Sequence, residues 1–427
     1  MSGDVARDPL TGLATMQIAV ETFERWRADG AHCQTMLIAL GELGVLNLAF
    51  GQALGDSVLI ETARRIALFA DDEFADCDCL IARVDGSAFL IAVREDWPRE
   101  RWQWLAEALA DAIALPLCND ENASIRLWPH IVLARSGPGT GVGPLLDKLA
   151  EASGQAKEPG AKRIEWANGA PAQSGTRRRQ LERDLLSAID RDELTVLYQP
   201  QYSLSDDQLI GAEALTRWDH PQFGQVGAGT LFGLAARMDH VTHLSRHIIA
   251  RALADAARWP DAMRLSVNVT ASCLAVAGFA RELEALAKDC GFGLHKLTIE
   301  ITEQALIGDM ALAQATLGYL ADRGAKIALD DFGAGFCNFR YLKLLPLSAI
   351  KLDRSMIDGI LDSPRDLSVF RAIVAMAQAL DLEVVVEGIE REEQRARAAA
   401  EGCGSYQGFL RSAPLNQEEF LRQLSVG

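Results

Sequence analysis

The sequence has no apolar run approaching roughly 18 residues, which excludes a membrane-spanning helix. Its opening residues, Met1 to Pro9, are polar and acidic and carry no signal-peptide core. Positive charge is in short supply. Lys+Arg number 42 against 59 Asp+Glu, a net charge of −17. Neither half is basic: 15 basic face 25 acidic residues before residue 170, and 27 face 34 after it. That excludes a general nucleic-acid binder, whose affinity rests on neutralising phosphates. Lysine is scarcer still, with 8 of the 42 basic residues. The eight cysteines form no C-x-x-C, because Cys77-Asp78-Cys79 has a single spacer residue, and the seven histidines supply no partnering pattern. Zinc knuckles and dithiol redox motifs are therefore excluded, and reduced, mostly buried thiols in a cytoplasmic protein are expected. The acid excess leaves open a nucleotide handled through hard cations.

What remains is ample for more than one core. The chain has 427 residues, 49% of them hydrophobic and 24% charged, and single cores stop growing beyond roughly 250–300 residues. The stretch from Ala167 to Thr176 is small, rich in Gly, Pro and Ser, and without apolar period, so it reads as a linker. Leu181, Leu185, Leu186 and Ile189 follow at helical spacing, and Arg177-Arg178-Arg179 reads as the polar start of that helix. The expected division is a domain at 1–166, a linker at 167–178 and a second domain at 179–427.

The second domain has the length of a (β/α)8 barrel. Apolar runs (TVLYQP, LIGAEAL, RLSVNV, KLTIEI, KIALDD, AIKLD, EVVVEG) alternate with amphipathic stretches such as FARELEALAKDCG. That alternation predicts a largely parallel sheet with crossover helices, and Gly291 and Gly324 fall where helices end. The polar residues are phased with the runs. Glu213, Asn268, Glu300, Asp330, Asp331, Lys351 and Glu387 lie at or near their C-terminal ends, which meet at one mouth in a parallel barrel. One such residue is an ordinary strand end; seven in phase are a site. Converging carboxylates repel unless cations intervene, and oxygen ligands without His or Cys point to Mg²⁺, Mn²⁺ or Ca²⁺. Two cations clamp the attacking and leaving oxygens of a phosphoryl displacement. A lysine at 351 keeps its charge among the acids and orients water or stabilises phosphate. The residues alone thus indicate a metal-dependent phosphoester hydrolase.

Glu213-Ala214-Leu215, followed by Thr216-Arg217-Trp218 and His220-Pro221, resembles the signature of the EAL domain family. The resemblance runs over about residues 176–425 through Tyr198-Gln199-Pro200, Ser266-Val267-Asn268, Ile299 to Glu303, Leu329 to Gly333, Ile350 to Asp353, Val386-Glu387-Gly388 and Gln407-Gly408-Phe409. It implies hydrolysis of cyclic di-GMP to linear pGpG with Mg²⁺ or Mn²⁺, Ca²⁺ being inhibitory, and a homodimer through the barrel. It implies that the first strand runs antiparallel, which periodicity does not. By position, Glu213, Asn268, Glu300 and Asp330 would hold one cation, and Asp330 with Asp331 a second. Lys351 would hold the attacking water, supported by Glu387. Gln199, Arg217, Asp353 and Gln407 would face the ligand, and Glu303 would anchor the loop after the Asp pair. Two stretches depart from the pattern: Cys337 replaces a hydroxyl in that loop, and the segment after His-Pro reads GAGTLFGLAAR, altered at Ala228, Gly233 and Ala236. These departures keep alive a second class of function, a cyclic di-GMP receptor without turnover.

The first half opens with Asp8-Pro9-Leu10-Thr11-Gly12-Leu13, which resembles the start of a GGDEF domain, an α/β sandwich of the nucleotide-cyclase type. Gly55-Asp56 and the stretch from Ala156 to Ile164 agree with it. The signature itself reads Asp85-Gly86-Ser87-Ala88-Phe89, and the metal-binding aspartate falls at Ala39 with its neighbour at Gly41. The upstream inhibitory Arg-x-x-Asp would fall at Asp76 to Cys79 and is absent. The expectation is a degenerate domain that makes no cyclic di-GMP and serves as a structural or regulatory module. Asn47 retains a guanine-contact position, which leaves GTP sensing as a sharper alternative, although the usual aspartate partner falls at Leu48.

Overall fold

The computed structural model describes residues 7–40, 43, 47, 52–75, 77–115, 117–118, 124–125, 127–136, 164–167, 174–191, 193–221, 223–238, 240–306, 309–333, 339–357 and 359–426. They fall into two compact units, Met1–Ser187 with Trp218–Leu234, and Ala188–Arg217 with Ala235–Gly427. Among the described residues no helix is long and apolar enough to cross a membrane.

The first unit is built on a six-stranded sheet in the order Ala14–Thr15, Cys79–Asp85, Ala88–Val93, Cys33–Leu40, Pro129–Ser136, Ile164–Trp166. Its central strand Cys33–Leu40 is buried at every position, and its two polar residues are hydrogen-bonded, Gln34 to the Trp97 carbonyl and Thr35 to the Ala134 carbonyl. The helix Met16–Ala28 lays Ala19, Phe23 and Trp26 on Leu37, Leu90 and Val132. The helices Gln52–Glu73 and Arg99–Ile113 complete the layer. Within it the Trp102 indole donates to the Thr35 carbonyl at 3.0 Å, and the buried Arg65 guanidinium donates to Glu61 at 2.7 Å and to the carbonyls of Ile113 and Leu115 at 2.9 and 2.7 Å. The opening motif is a tight turn. Asp8 Oδ1 accepts from the Thr11 amide and hydroxyl, and Asp8 pairs with Arg83 at 3.0 Å.

The second unit carries the barrel. Seven strands run parallel in sequence order: Leu209–His220, Arg264–Asn268, Leu297–Thr302, Lys326–Phe332, Ala349–Leu352, Glu383–Val386 and Ser405–Gln407. Leu194–Ser203 closes the ring, antiparallel to Ser405–Gln407 and paired with Leu209–His220. The apolar runs of the sequence are these strands, and the closing direction is that of the family resemblance. Local chemistry sets the helix ends. Asp309 and Ser363 cap their helices by accepting from Leu312 and Asp366 amides, with Pro364 at the first helical position. Gly291 and Gly324 follow their helices with φ of 71° and 95°, the left-handed termination glycine favours. The helix after the Gly/Pro/Ser-rich stretch runs Ser174–Asp190, so it starts inside that stretch, ahead of the basic triplet.

Six cysteines are free among the described residues. Burial pushes the Cys79 and Cys403 thiols up to about 12, which leaves them unreactive at neutral pH.

Candidate active site

The barrel register assembles the phased residues. Asn268 sits opposite Glu300, and Asp330 opposite Thr302. The carboxylates of Glu213, Glu300, Asp330 and Glu387 converge on Lys351, which is 1% exposed. Its Nζ lies 3.0 Å from Glu213 Oε2, 2.7 Å from Glu300 Oε2, 2.8 Å from Glu387 Oε1 and 3.1 Å from Asp330 Oδ1. An ammonium has three protons, so it cannot satisfy four carboxylates. The shortfall is visible: Asp330 Oδ1 is buried and, although 3.1 Å from the Lys351 ammonium, forms no well-directed hydrogen bond.

Asp331 joins this cluster by a backbone device. Adjacent residues of a regular strand point to opposite faces. Here the pairing with Ala349–Leu352 shifts between Leu329 and Phe332, and Asp331 takes a φ of 56°. The bulge turns the second carboxylate back toward the first. Two ligand groups result, Glu213 with Glu300 and Asp330, and Asp330 with Asp331 and Glu387, the carboxylate oxygens of each lying within 4.8 Å of one another. Asp330 belongs to both. Five carboxylates against one ammonium leave a strong negative excess in a buried pocket. An all-oxygen donor set with an orphaned acceptor fits hard divalent cations.

The electrostatics agree. Burial is the largest influence on each acid. It pushes Glu300 and Glu387 well above the ordinary carboxylate range and raises Asp330, with the Glu213 charge adding to all three and Lys351 opposing. At Glu213 burial is outweighed by the Lys351 charge and by bonds from Gln407 and Asn268, and its carboxyl is held low. Lys351 overcomes burial through Asp330, Glu213, Glu300 and Glu387 and stays charged.

Amides complete the floor. Asn268 Nδ2 donates to Glu213 at 2.7 Å, and Gln407 Nε2 donates to Glu213 at 2.8 Å and to Glu387 at 2.9 Å. Gln201, opposite Gln407 in the sheet, donates to the Gln407 carbonyl at 3.0 Å. Sequence reasoning missed Gln201. The signal was there in Gln199 and Gln201, which alternate along the closing strand and so share a face.

The remaining expected residues make other contacts. Gln199 is buried and donates to the Ser412 carbonyl at 2.9 Å. Arg217 is buried, and one of its nitrogens donates to the Thr216 carbonyl at 2.9 Å. Asp353 is buried, and its carboxylate caps the turn Arg354–Met356 through the Ser355 amide. The Glu303 side chain and the loop 334–338 with Cys337 lie outside the described residues.

The EAL domain model matches residues 182–414, more than half the chain. The chain belongs to the EAL domain family. A second model, of the diguanylate cyclase GGDEF domain, matches residues 5–163, so GGDEF and EAL stand in tandem. This EAL protein is 31% identical to the cyclic di-GMP phosphodiesterase NbdA of Pseudomonas aeruginosa over 97% of the chain and 54% of NbdA. It is 29% identical to MucR of the same species, named a bifunctional diguanylate cyclase/cyclic di-GMP phosphodiesterase, over 93% of the chain and 58% of MucR. The chain thus spans little more than half the length of these two relatives. Among solved structures, the PaMucR phosphodiesterase in its c-di-GMP complex matches with a TM-score of 0.53 at 32% identity, over 56% of this chain and 99% of that one. The EAL enzyme Bd1971, in its cAMP- and cyclic-di-GMP-bound form, matches with a TM-score of 0.56 at 26% identity, over 70% and 82%. The GGDEF–EAL portion of Vibrio cholerae LapD shares the fold at 18% identity, over 95% of both chains, with a TM-score of 0.54.

Proposed function

We propose that the chain hydrolyses cyclic di-GMP to linear pGpG in the bacterial cytoplasm, using two Mg²⁺ or Mn²⁺ ions. The observation that carries this reading is the cluster of four carboxylates around the buried Lys351, with Asp331 beside them and Asp330 shared between two ligand groups. Glu213, Asn268, Glu300 and Asp330 would hold one ion, and Asp330 and Asp331 the other. Bound ions supply charge neutralisation at the phosphate and a water acidic enough to attack at neutral pH. Lys351, fixed by four carboxylates, orients that water, and Glu387 holds its other side. Arg217 offers a planar fork to a phosphate oxygen, while Gln199, Gln407 and Asp353 line the ligand's place. The water oxygen bonds to phosphorus, the P–O3′ bond breaks, and the leaving 3′ oxygen takes a proton. Ca²⁺ binds the same oxygens but with looser geometry, which positions the water poorly.

The GGDEF portion is read as inactive. Ala39 and Ala88, the places where this family carries acidic residues, are direct partners in the antiparallel sheet, so neither side of that pair offers a cation ligand. The reading keeps the domain division at 1–166, 167–178 and 179–427 and a homodimer through the barrel. The test is direct: the full chain is incubated with cyclic di-GMP and Mg²⁺, then Mn²⁺, and the products are separated. Linear pGpG is the expected product, abolished by Glu213→Ala. Turnover that survives Glu213→Ala overturns the site, and tight binding without turnover turns the protein into a receptor.

A further inference from the structure

The altered segment after His220-Pro221 belongs up to Leu234 to the first compact unit and has a partner within it. The helix Gln52–Glu73 ends on Asp71-Asp72-Glu73. Acidic side chains are disfavoured at a helix C-terminus, where the backbone dipole is already negative. Two of them are used on another helix. Asp72 Oδ2 accepts from the Gly229 amide at 2.8 Å. Glu73 Oε1, on a side chain that is buried, accepts from the Gly227 amide at 3.1 Å and the Thr230 hydroxyl at 2.5 Å. These groups open the helix Ala228–Arg237, whose first turn holds no acidic residue of its own. The carboxylates thus cap it from a distant part of the chain, with the favourable sign of charge.

The fit depends on missing side chains. A Cβ at position 227 would fall 2.3 Å from Asp72 Oδ2, and one at 224 would fall 2.5 Å from Arg101 Nη1. Phe223 packs its ring on Trp104, centroids 6.1 Å apart. Gly227 and Gly229 of GAGTLFGLAAR are therefore the positions matched to Asp72.

The capped segment leads back to the site. The strand Gly224–Gly227 pairs with Leu209–His220, which carries Glu213 and Arg217. Glu213 is held independently by Lys351, Asn268 and Gln407. Arg217 lies farther along that strand, toward the end that leads into Gly224–Gly227. We propose that Asp72 and Glu73 are positioning residues for substrate binding by the barrel, acting through the segment 224–237 on the Arg217 end of that strand.

This rests on the phosphodiesterase reading, and wild-type turnover tests that reading separately. Steady-state kinetics of the full chain are measured for Asp72→Asn, Glu73→Gln and Gly227→Ala, with hydrogen exchange of peptides covering 224–237 as the second readout. Glu73→Gln and Gly227→Ala each raise KM about tenfold with kcat held within about twofold, and exchange in 224–237 accelerates without substrate. Because a Cβ at 227 displaces the Asp72 carboxylate, Gly227→Ala and Asp72→Asn act on one contact, and their double variant is no worse than the more damaging single one. Asp72→Asn, at an exposed contact, gives the same pattern more weakly and covers the case in which Glu73→Gln fails to fold. Unchanged KM and unchanged exchange overturn the proposal. So does an equal loss in kcat, or full additivity of Asp72→Asn with Gly227→Ala.

Discussion

Replacing Lys351 by methionine removes the cation that forms ion pairs with Glu213, Glu300, Asp330 and Glu387 at 2.7–3.1 Å. Methionine fills similar volume, so the loss is chiefly electrostatic. The stranded carboxylates have one inexpensive escape, which is to take up a proton. A glutamate with an ordinary value of 4.5 does so at pH 7 at a cost of about 3 kcal/mol, each pH unit being about 1.4 kcal/mol. That matches the roughly 3–5 kcal/mol lost when a buried pair loses one partner. At roughly 2–4 °C per kcal/mol for a domain of this size, the barrel should melt about 6–12 °C lower at pH 7 in EDTA. The sign of the pH dependence is fixed. Glu300, Asp330 and Glu387 already have raised values in the folded state, and removing Lys351 raises them further. Groups raised on folding stabilise below their unfolded values, and that stability is lost as pH rises. The deficit should therefore shrink to about 1 kcal/mol near pH 5.5. Melting curves of both proteins in EDTA at the two pH values test this. Equal melting temperatures at pH 7, or a deficit independent of pH, would refute the view that Lys351 compensates these acids.

Other outcomes follow from the same geometry. Mg²⁺ or Mn²⁺ at about 100 times its Kd should stabilise the folded chain by about 2.7 kcal/mol and release protons on binding, measurable by melting and by calorimetry in buffers of different ionisation heat. Asp330→Asn, altering the residue common to both ligand groups, should remove most of that increment. Gln201→Leu leaves the buried Gln407 carbonyl without its donor, at a cost of about 1–3 kcal/mol. Turnover should fall about tenfold, and wild-type kcat in that variant would show that Gln407 is held by other means. Ca²⁺ should compete with Mg²⁺ while supporting little hydrolysis, which product separation at varied Ca²⁺ reads directly.

Much of the barrel was legible because a βα repeat writes itself locally. Short apolar runs, amphipathic stretches and the glycines at 291 and 324 each reflect neighbours within a few residues. The polar phase was legible for the same reason: Asn268, Glu300, Asp330 and Lys351 fall near strand ends whatever the strands pair with, whereas Glu213, expected there too, lies in the first half of the longer strand Leu209–His220. Arg217, Asp353 and Gln407 came into view only through the resemblance to the EAL family, because a lone arginine or glutamine carries no pattern.

The sequence by itself therefore determined the parallel strands, the phase of the acids and the absence of carboxylates at Ala39 and Ala88. Tertiary structure decided how they meet. Register between distant strands set Asn268 against Glu300 and Gln201 against Gln407. A register shift with a left-handed Asp331 brought two adjacent carboxylates to one side, where strand periodicity alone would have separated them. The bonds of Asp72 and Glu73 to residues more than 150 positions away belong to the same class. Such contacts depend on loop closure and packing of the whole chain, and no local period encodes them.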